Sequence, residues 1–167
     1  CLVEDGGNPQ FVSGNRVVDG HAEGLLVTAA GLGVFEGGDF SNNACAGVCI
    51  RGVSSHPTLR RNAIHSGQTC GVSALDGCGG YLEENEVFAN AGAGLETVEG
   101  GHPECVRNRF HEGKTVGIHC RSKGKGQFND NEVFGNKAVG ILIDTGACPN
   151  MKKNRVYDGP GGGMAVC

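Results

Sequence analysis

Two pairs of titratable residues in this chain are separated by the same interval of 23 residues. Asp76 and Glu99 form the first pair, and two carboxyl groups about 5 Å apart are the arrangement of a retaining glycosidase. Glu96 and His119 form the second pair, and side chains of these types can share a proton in acid–base chemistry. Each pair also has a plainer interpretation. The first lies in glycine-rich turns where register is loose, and the second can be a simple surface contact.

The interval belongs to a repeat that runs through the chain. Five asparagines follow it, and Asn15 joins their series once one inserted residue near Ser54 and Ser55 is allowed. The five are Asn62, Asn85, Asn108, Asn131 and Asn154. A glycine stands nine residues after every position of the series, in all seven repeats: Gly24, Gly47, Gly71, Gly94, Gly117, Gly140 and Gly163. A fixed period of this kind indicates a solenoid.

Apolar residues recur in three places within each repeat. The residue after the glycine and the residue two further on are mostly apolar, which is the spacing of a strand with one buried face. The other two columns are Val17, Phe40, Ile64, Val87, Phe110, Val133 and Val156, and Val12, Phe35, Leu59, Leu82, Cys105, Phe128 and Met151. We therefore predict an all-β fold, a right-handed parallel β-helix of about seven coils of 23 residues with three short strands per coil.

The asparagine series is interpreted as an internal ladder, because stacked amides can hydrogen-bond along the rod and satisfy buried polar groups. A second set alternates between asparagine and glycine, which predicts a corner where space alternates and a true repeat of two coils: Gly20, Asn43, Gly67, Asn90, Gly113, Asn136 and Gly159.

The position after the asparagine series alternates in charge: Arg16, Asp39, Ala63, Glu86, Arg109, Glu132 and Arg155. Opposite charges in successive coils specify the stacking order, and a further role in binding a partner stays open.

Composition agrees with a solenoid of one domain. The chain has 31 glycines and only 5% aromatic residues, which suits tight turns between short strands better than a core of large side chains. No linker divides it, so residues 1–167 form a single segment. Its ends match the middle of strands and carry no cap, so we expect a segment excised from a longer chain.

Charge and cysteine content bear on partners and location. A net charge of −4, two tyrosines and no tryptophan argue against nucleic acid, and no apolar run could span a membrane. The nine cysteines are odd in number, and only Cys45 and Cys70 approach facing positions, one residue out of register. We expect free thiols in the cytoplasm or nucleus, with secretion as the alternative. No Cys-x-x-Cys pair indicates a zinc site, and no cofactor is expected.

Two stretches carry a family resemblance. Residues 57–67 read PTLRRNAIHSG, and residues 82–95 read LEENEVFANAGAGL. They resemble paired repeats of the CASH-type β-helix, and above all the β-helix of F-box-only ubiquitin-ligase substrate receptors. Departures from that pattern include Ala63, Cys78, Glu104, Cys105 and the run from Pro160 to Gly163. The resemblance implies a rigid surface that holds a protein substrate, and it carries over no catalytic residue.

We therefore expect a non-enzymatic protein-interaction scaffold, the substrate-recognition rod of an F-box type ubiquitin ligase, with a protein substrate or adaptor as partner. The alternative is a carbohydrate-binding or carbohydrate-active β-helix, such as a lyase, hydrolase or epimerase, with Asp76 and Glu99 as its catalytic pair. The column beside that pair offers few groups to hold a sugar: Arg51, Leu75, Val98, Arg121 and Asp144. A structural segment of a cell-surface protein is a third possibility.

Overall fold

The computed structural model describes residues 1–167 as a succession of short β-strands, without a helix that could cross a membrane. The first eleven are β1 (Leu2–Val3), β2 (Gln10–Val12), β3 (Arg16–Val18), β4 (Leu25–Val27), β5 (Val34–Glu36), β6 (Asp39–Ser41), β7 (Val48–Arg51), β8 (Thr58–Arg60), β9 (Ala63–His65), β10 (Val72–Leu75) and β11 (Tyr81–Glu83). The others are β12 (Glu86–Phe88), β13 (Leu95–Thr97), β14 (Glu104–Val106), β15 (Arg109–His111), β16 (Ile118–Cys120), β17 (Gln127–Asn129), β18 (Glu132–Phe134), β19 (Ile141–Ile143), β20 (Asn150–Lys152), β21 (Arg155–Tyr157) and β22 (Met164–Val166).

Every third strand joins the same sheet, so the chain winds as a parallel β-helix. Sheet A has eight strands in the order β1-β4-β7-β10-β13-β16-β19-β22. Sheet B runs from β2 to β20 and sheet C from β3 to β21, each with seven strands. All neighbouring strands are parallel, and Leu95, for example, pairs with Val72 on one side and Ile118 on the other. The predicted fold, with three strands per coil, is confirmed.

The core lies inside the three sheets and consists of like residues stacked coil on coil. Twenty-two buried residues form one hydrophobic cluster. Its largest fully buried side chains include Phe35, Phe40, Phe110 and Phe128, and they come from sheets B and C. Alternation along each strand explains the pattern, since Leu25 and Val27 are fully buried whereas Leu26 between them faces outward.

The first coil departs from the predicted apolar column. Phe11, and not Val12, pairs with Phe35 in sheet B, and Phe11 packs against the core. Val12 is 57% exposed. The physical reason is one extra residue in the following turn, where Ser13 and Gly14 both have positive φ. That residue moves the strand back by one position and so exchanges the inward and outward side chains.

The asparagine series forms a hydrogen-bonded ladder at the corner between sheets B and C. From Asn62 to Asn131, each amide nitrogen Nδ2 donates to the Oδ1 atom of the next asparagine at 2.9–3.1 Å. The same oxygen also accepts from the backbone N–H of the preceding member, as Asn108 does from Asn85. Four of these asparagines are at most 1% exposed, so the ladder satisfies buried polar groups as predicted.

The alternating corner between sheets C and A also follows the prediction. Oδ1 of Asn43, Asn90 and Asn136 accepts from the backbone N–H of Gly20, Gly67 and Gly113 in the preceding coil. Each amide nitrogen donates to a strand carbonyl of that same coil. A Cβ atom at Gly20 would lie 2.8 Å from Oδ1 of Asn43, so an asparagine in one coil requires a glycine in the coil before it.

The invariant glycine column has a steric cause. A Cβ atom at Gly117 would lie 2.3 Å from Cγ1 of Val133 and 2.8 Å from the carbonyl oxygen of Gly140. Gly71 and Gly140 meet valine side chains at 2.4 Å in the same way. Here the backbone passes directly over the next coil's core residue, and only glycine leaves room.

Candidate functional site

The outward surface of sheet A, here called face A, brings one predicted pair together. Its middle column is in register through Leu26, Cys49, Ser73, Glu96, His119 and Leu142. A parallel column holds Arg51, Leu75, Val98, Arg121 and Asp144, positioned by the backbone bonds that continue the ladder. Because successive coils stack about 4.8 Å apart, side chains of both columns can meet along and across the strands.

Glu96, His119, Arg121 and Asp144 form one connected group, the face-A cluster. Nε of Arg121 donates to Oε1 of Glu96 at 2.6 Å. Nε2 of His119 lies 2.9 Å from Oδ2 of Asp144, and its Nδ1 lies 3.9 Å from Oε1 of Glu96. The side chains of Glu96 and His119 are 16% and 19% exposed. The imidazole therefore stands between two carboxylates, from which it can accept or to which it can donate a proton.

Two neighbours fix the charge of this cluster. The hydrogen bond with Glu96 is the main cause that raises the pKa of Arg121, so this guanidinium stays positive. Sγ of Cys70 donates to Oε2 of Glu96 at 3.8 Å. Burial, with the Glu96 charge second, raises the pKa of the Cys70 thiol to about 11. Cys70 therefore acts as a weak neutral donor that helps to hold the carboxylate in place.

Apolar side chains surround the face-A cluster. Leu75 and Leu142 lie outside the hydrophobic core and remain partly exposed, and Val98 beside the cluster is 8% exposed. Face A thus combines partly exposed aliphatic side chains with a fixed arginine–glutamate pair.

The other predicted pair lies at the edge of face A, in the turn after sheet A. Asp76 and Glu99 occupy equivalent positions in adjacent coils, where the backbone N–H of Gly77 donates to the carbonyl oxygen of Glu99 at 3.0 Å. Both side chains are exposed, and both residues have left-handed φ values of 55° and 49°. An open hollow beside them is lined by Glu99, Ser122 and Lys123. The turn separates this pair from the face-A cluster.

Sheet C has a differently built outward surface, here called face C. Its first column carries the alternating charges. Arg109 contacts Glu86 at 2.7 Å and Glu132 at 3.7 Å, and Arg155 contacts Glu132 at 2.8 Å. Arg16 contacts Asp39 at 3.1 Å in the first two coils. The predicted pairing of opposite charges between successive coils is present, and the side chains stay open to solvent.

A continuous stack of rings runs beside these charges. His65, Phe88, His111, Phe134 and Tyr157 stack in order, with ring centroids 4.5–5.3 Å apart and planes within 14° of each other. Nε2 of His65 also lies 3.3 Å from Asp39, and Nε2 of His111 lies 3.1 Å from Glu86. The sequence shows that the two histidines lie two coils apart. In the structure, Phe88 joins them.

Sequence reasoning found half of the face-A cluster. It paired Glu96 with His119, which are one coil apart, but it left Arg121 and Asp144 in a column that it judged too sparse for a sugar. A usable signal was the spacing of 25 residues that links Glu96 to Arg121 and His119 to Asp144. This spacing marks a diagonal contact, one coil along the rod and two residues along the strand.

The structure contains no group of three or more His, Cys, Asp or Glu side chains that could hold a metal ion. All nine cysteines are free thiols.

Three parallel sheets around a stacked core, with patterned outward faces, define a β-helix protein. The chain belongs to the right-handed β-helix region family, whose model matches residues 2–158. This membership also establishes the right-handed sense of the winding.

Among solved structures, the chain is similar to the A-module of the mannuronan C-5 epimerase AlgE6 from Azotobacter vinelandii. The TM-score is 0.65 at 16% sequence identity, over 83% of this chain and 41% of that module. The chain thus spans less than half the length of that neighbour, and the likeness shows the fold alone. A comparison with curated proteins finds no match.

Proposed function

We propose that this chain is a protein-interaction scaffold that docks its partner on face A. The observation that carries the proposal is the placement of partly exposed leucines, Leu75 and Leu142 among them, around the fixed Glu96–Arg121 pair. A protein partner that covers the leucines removes apolar area from water, which contributes roughly 25 cal/mol per Å². The charged pair then adds specificity, because a partner must present matching polar groups.

The finer form of the proposal is the substrate-recognition rod of an F-box type ubiquitin ligase, acting in the cytoplasm or nucleus. It is supported by the resemblance of residues 57–67 and 82–95 to the repeats of those receptors, and by the rigid, hydrogen-bonded build of the coils. In this form face A holds a protein substrate, and the ligase adaptor binds a different part of the full-length protein.

The docking proposal is tested by affinity capture with matched variants. Leu142→Asp and Arg121→Glu change face A without touching the core, whereas Lys137→Glu changes an exposed residue at a corner of the rod. Partner proteins identified by mass spectrometry should be lost with both face-A variants and retained with the corner variant. Equal capture by all three variants would refute docking on face A.

The ligase form needs its own experiment. The full-length protein should recover a ligase adaptor from a lysate, and a captured partner should be ubiquitinated more slowly when Arg121→Glu is introduced. Recovery of the partner without any adaptor would remove the ligase form and leave the scaffold.

A carbohydrate-active β-helix is the second candidate, because of one specific observation. His119 lies between Asp144 and Glu96, with the Arg121 cation within the same cluster, and this set could exchange a proton with an anionic sugar. The structural neighbour is an epimerase that acts on mannuronan, and that activity is transferred here only as a hypothesis. The exposed Asp76 and Glu99 offer a separate pair of carboxylates for hydrolysis.

Incubation with mannuronan and with polygalacturonate tests this candidate. Epimerisation changes the proton NMR signals of the uronate, lysis creates an unsaturated product that absorbs ultraviolet light, and hydrolysis releases reducing ends. Any activity should disappear in His119→Ala if the face-A cluster is the site, or in Asp76→Ala if the turn pair is the site. Polymers that stay unchanged with the unmodified chain would count against this candidate.

A further inference from the structure

We propose that face C is a self-association surface on which a second copy of this chain docks with its rod antiparallel. This inference goes beyond the proposed function, because it concerns a different sheet and a different partner. It rests on the order of charges in the first column of face C and on the ring stack beside them.

The column alternates in sign with the coil number. Asp39, Glu86 and Glu132 stand in even-numbered coils, Arg109 and Arg155 in odd-numbered ones, and the strand registers place them in one line. Consecutive members lie about 4.8 Å apart because this is the strand spacing. Within one chain the charges already pair along the column, and their side chains remain partly exposed, from 27% for Asp39 to 72% for Arg155.

An antiparallel second copy matches this column. The second copy is related to the first by a two-fold axis that runs along the strand direction. The axis lies midway between the coil levels, or rungs, of Glu86 and Arg109. It places the column of charges opposite the same column of the second copy, in reversed order. Glu86 then faces Arg109 of the second copy, and Asp39 faces Arg155 of the second copy. Each contact occurs twice by symmetry, so the interface contains four pairs of opposite charge.

An axis placed on a coil, or a parallel arrangement of the rods, brings like charges together. Moving the axis onto the rung of Glu86 sets Glu86 against its own copy and Asp39 against Glu132 of the second copy. Parallel rods bring every charge to the level of its own copy. Like charges juxtaposed at an interface disfavour association. The alternation therefore specifies the antiparallel direction and an axis that lies between two coils.

An axis between Ala63 and Glu86 also pairs opposite charges, but there His65 and Phe88 form the only aromatic contacts between the copies. An axis between Arg109 and Glu132 overlaps only four coils. The axis between Glu86 and Arg109 combines the six-coil overlap with the larger number of aromatic contacts.

The ring stack agrees with the same register. Around this axis Phe88 faces His111 of the second copy, His65 faces Phe134 of the second copy, and Ser41 faces Tyr157 of the second copy. Aromatic residues therefore meet aromatic residues along the middle of the interface, and aromatic pairs are favourable contacts. The overlapping face covers six coils, a length on the order of 29 Å.

A second copy also fits better than an extended peptide laid along the rod. A β-strand places residues about 3.3 Å apart and same-side residues about 6.6 Å apart, and neither spacing matches rungs of about 4.8 Å. An identical column has the same spacing at every rung, so all four charged pairs can form together.

The test uses two charge-reversed variants. Asp39 and Arg155 lie five coils apart, about 24 Å, and cannot interact within one chain. In Asp39→Lys, or in Arg155→Glu, each homodimer opposes like charges twice. A mixture of the two variants instead restores opposite charges at both positions of the mixed dimer. Circular dichroism and thermal melting verify that each variant keeps the fold.

Analytical ultracentrifugation at low ionic strength, from micromolar to millimolar protein, gives the readout. We expect the unmodified chain to dimerise and to dissociate as salt is added. Each variant alone should bind itself about tenfold more weakly or worse, and the mixture should recover dimers. An unmodified chain that stays monomeric overturns the inference, as does a mixture that recovers no dimer. Neither result affects docking on face A.

Discussion

The side chain of Asn85 donates its Nδ2 hydrogen to Oδ1 of Asn108 at 2.9 Å, and the backbone N–H of Asn85 donates to the same oxygen at 2.9 Å. Oδ1 of Asn108 therefore accepts two hydrogen bonds from Asn85, one from its side chain and one from its backbone. The second Nδ2 hydrogen of Asn85 is donated to the carbonyl oxygen of Leu59 at 2.9 Å. This geometry ties three successive coils together through a single amide.

Replacement of Asn85 by alanine should cost at least about 3 kcal/mol of unfolding free energy. It leaves the backbone N–H and the amide of Asn62 and the carbonyl of Leu59 without partners in a buried corner, at about 1–3 kcal/mol for each unsatisfied group. Urea unfolding followed by circular dichroism measures the loss. Asn154→Ala, at a partly buried rung, is the control and should cost less. Equal losses would contradict the burial argument.

Glycine at the invariant position should be required inside the rod and dispensable at its last coil. Gly117→Ala places a methyl group 2.3 Å from Val133 and should destabilise by about 2 kcal/mol or more. Gly163 is the matched control, because its nearest neighbour would be 4.0 Å from the new atom. Thermal melting of both variants decides the point, and a harmless Gly117→Ala would show that the coils can shift to make room.

The ring stack of face C predicts a spectroscopic effect. Phe88 lies 4.5 Å from the ring of His65 and 5.3 Å from that of His111, so its ring current should shift their side-chain proton signals upfield. Phe88→Leu should remove both shifts and cost about 1 kcal/mol. Proton NMR of the histidines measures this change. His119 lies on face A, so its signals should not move and provide the internal reference.

Stability should fall in alkali because of the buried thiols. Burial is the main cause that raises the pKa of Cys49 and Cys120 to about 11 and of Cys78 to about 12, against an ordinary value of 9.0. A group with a raised folded pKa stabilises fully below its unfolded pKa. That contribution is lost as the pH rises from about 9 towards 11 or 12.

Each such thiol should remove about 1.4 kcal/mol per pH unit in that range. Urea midpoints measured between pH 8 and 11 test this slope. Cys120→Val should reduce the alkaline loss, whereas Cys148→Val changes an exposed thiol and should leave it unchanged. The same slope in both variants would mean that other groups cause the alkaline transition.

The sequence predicted the coils well because equivalent positions in successive coils have the same surroundings and so require residues of similar size and polarity. Leu59, Leu82 and Cys105 stack as expected, since any register shift would turn apolar side chains outward. Val12 was misplaced because a single extra residue in the turn at Ser13 and Gly14 leaves no trace in composition. Periodicity located the insertion near Ser54 and Ser55, which the strand registers confirm. It could not place the second insertion, because Phe11 and Val12 are both apolar.

The candidate site was only partly predictable for a related reason. A column shows which residues are neighbours along the rod, and so it found Glu96 with His119. The reach of a long side chain across two columns is not encoded in the period. Arg121 meets Glu96 diagonally at 2.6 Å, and Asp144 meets His119 in the same direction at 2.9 Å. Such contacts depend on side-chain length and rotamer, which become visible only once the sheet is built.

The alternating corner of asparagine and glycine limits how this rod could have grown during evolution. Duplicating one coil would place Asn43 beside another asparagine, although Oδ1 of Asn43 needs the bare backbone of a residue such as Gly20. The same single duplication would set Asp39 next to a second aspartate. A gene that lengthens in steps of two coils avoids both conflicts. Exon boundaries or recombination points in its ancestry should therefore lie an even number of coils apart.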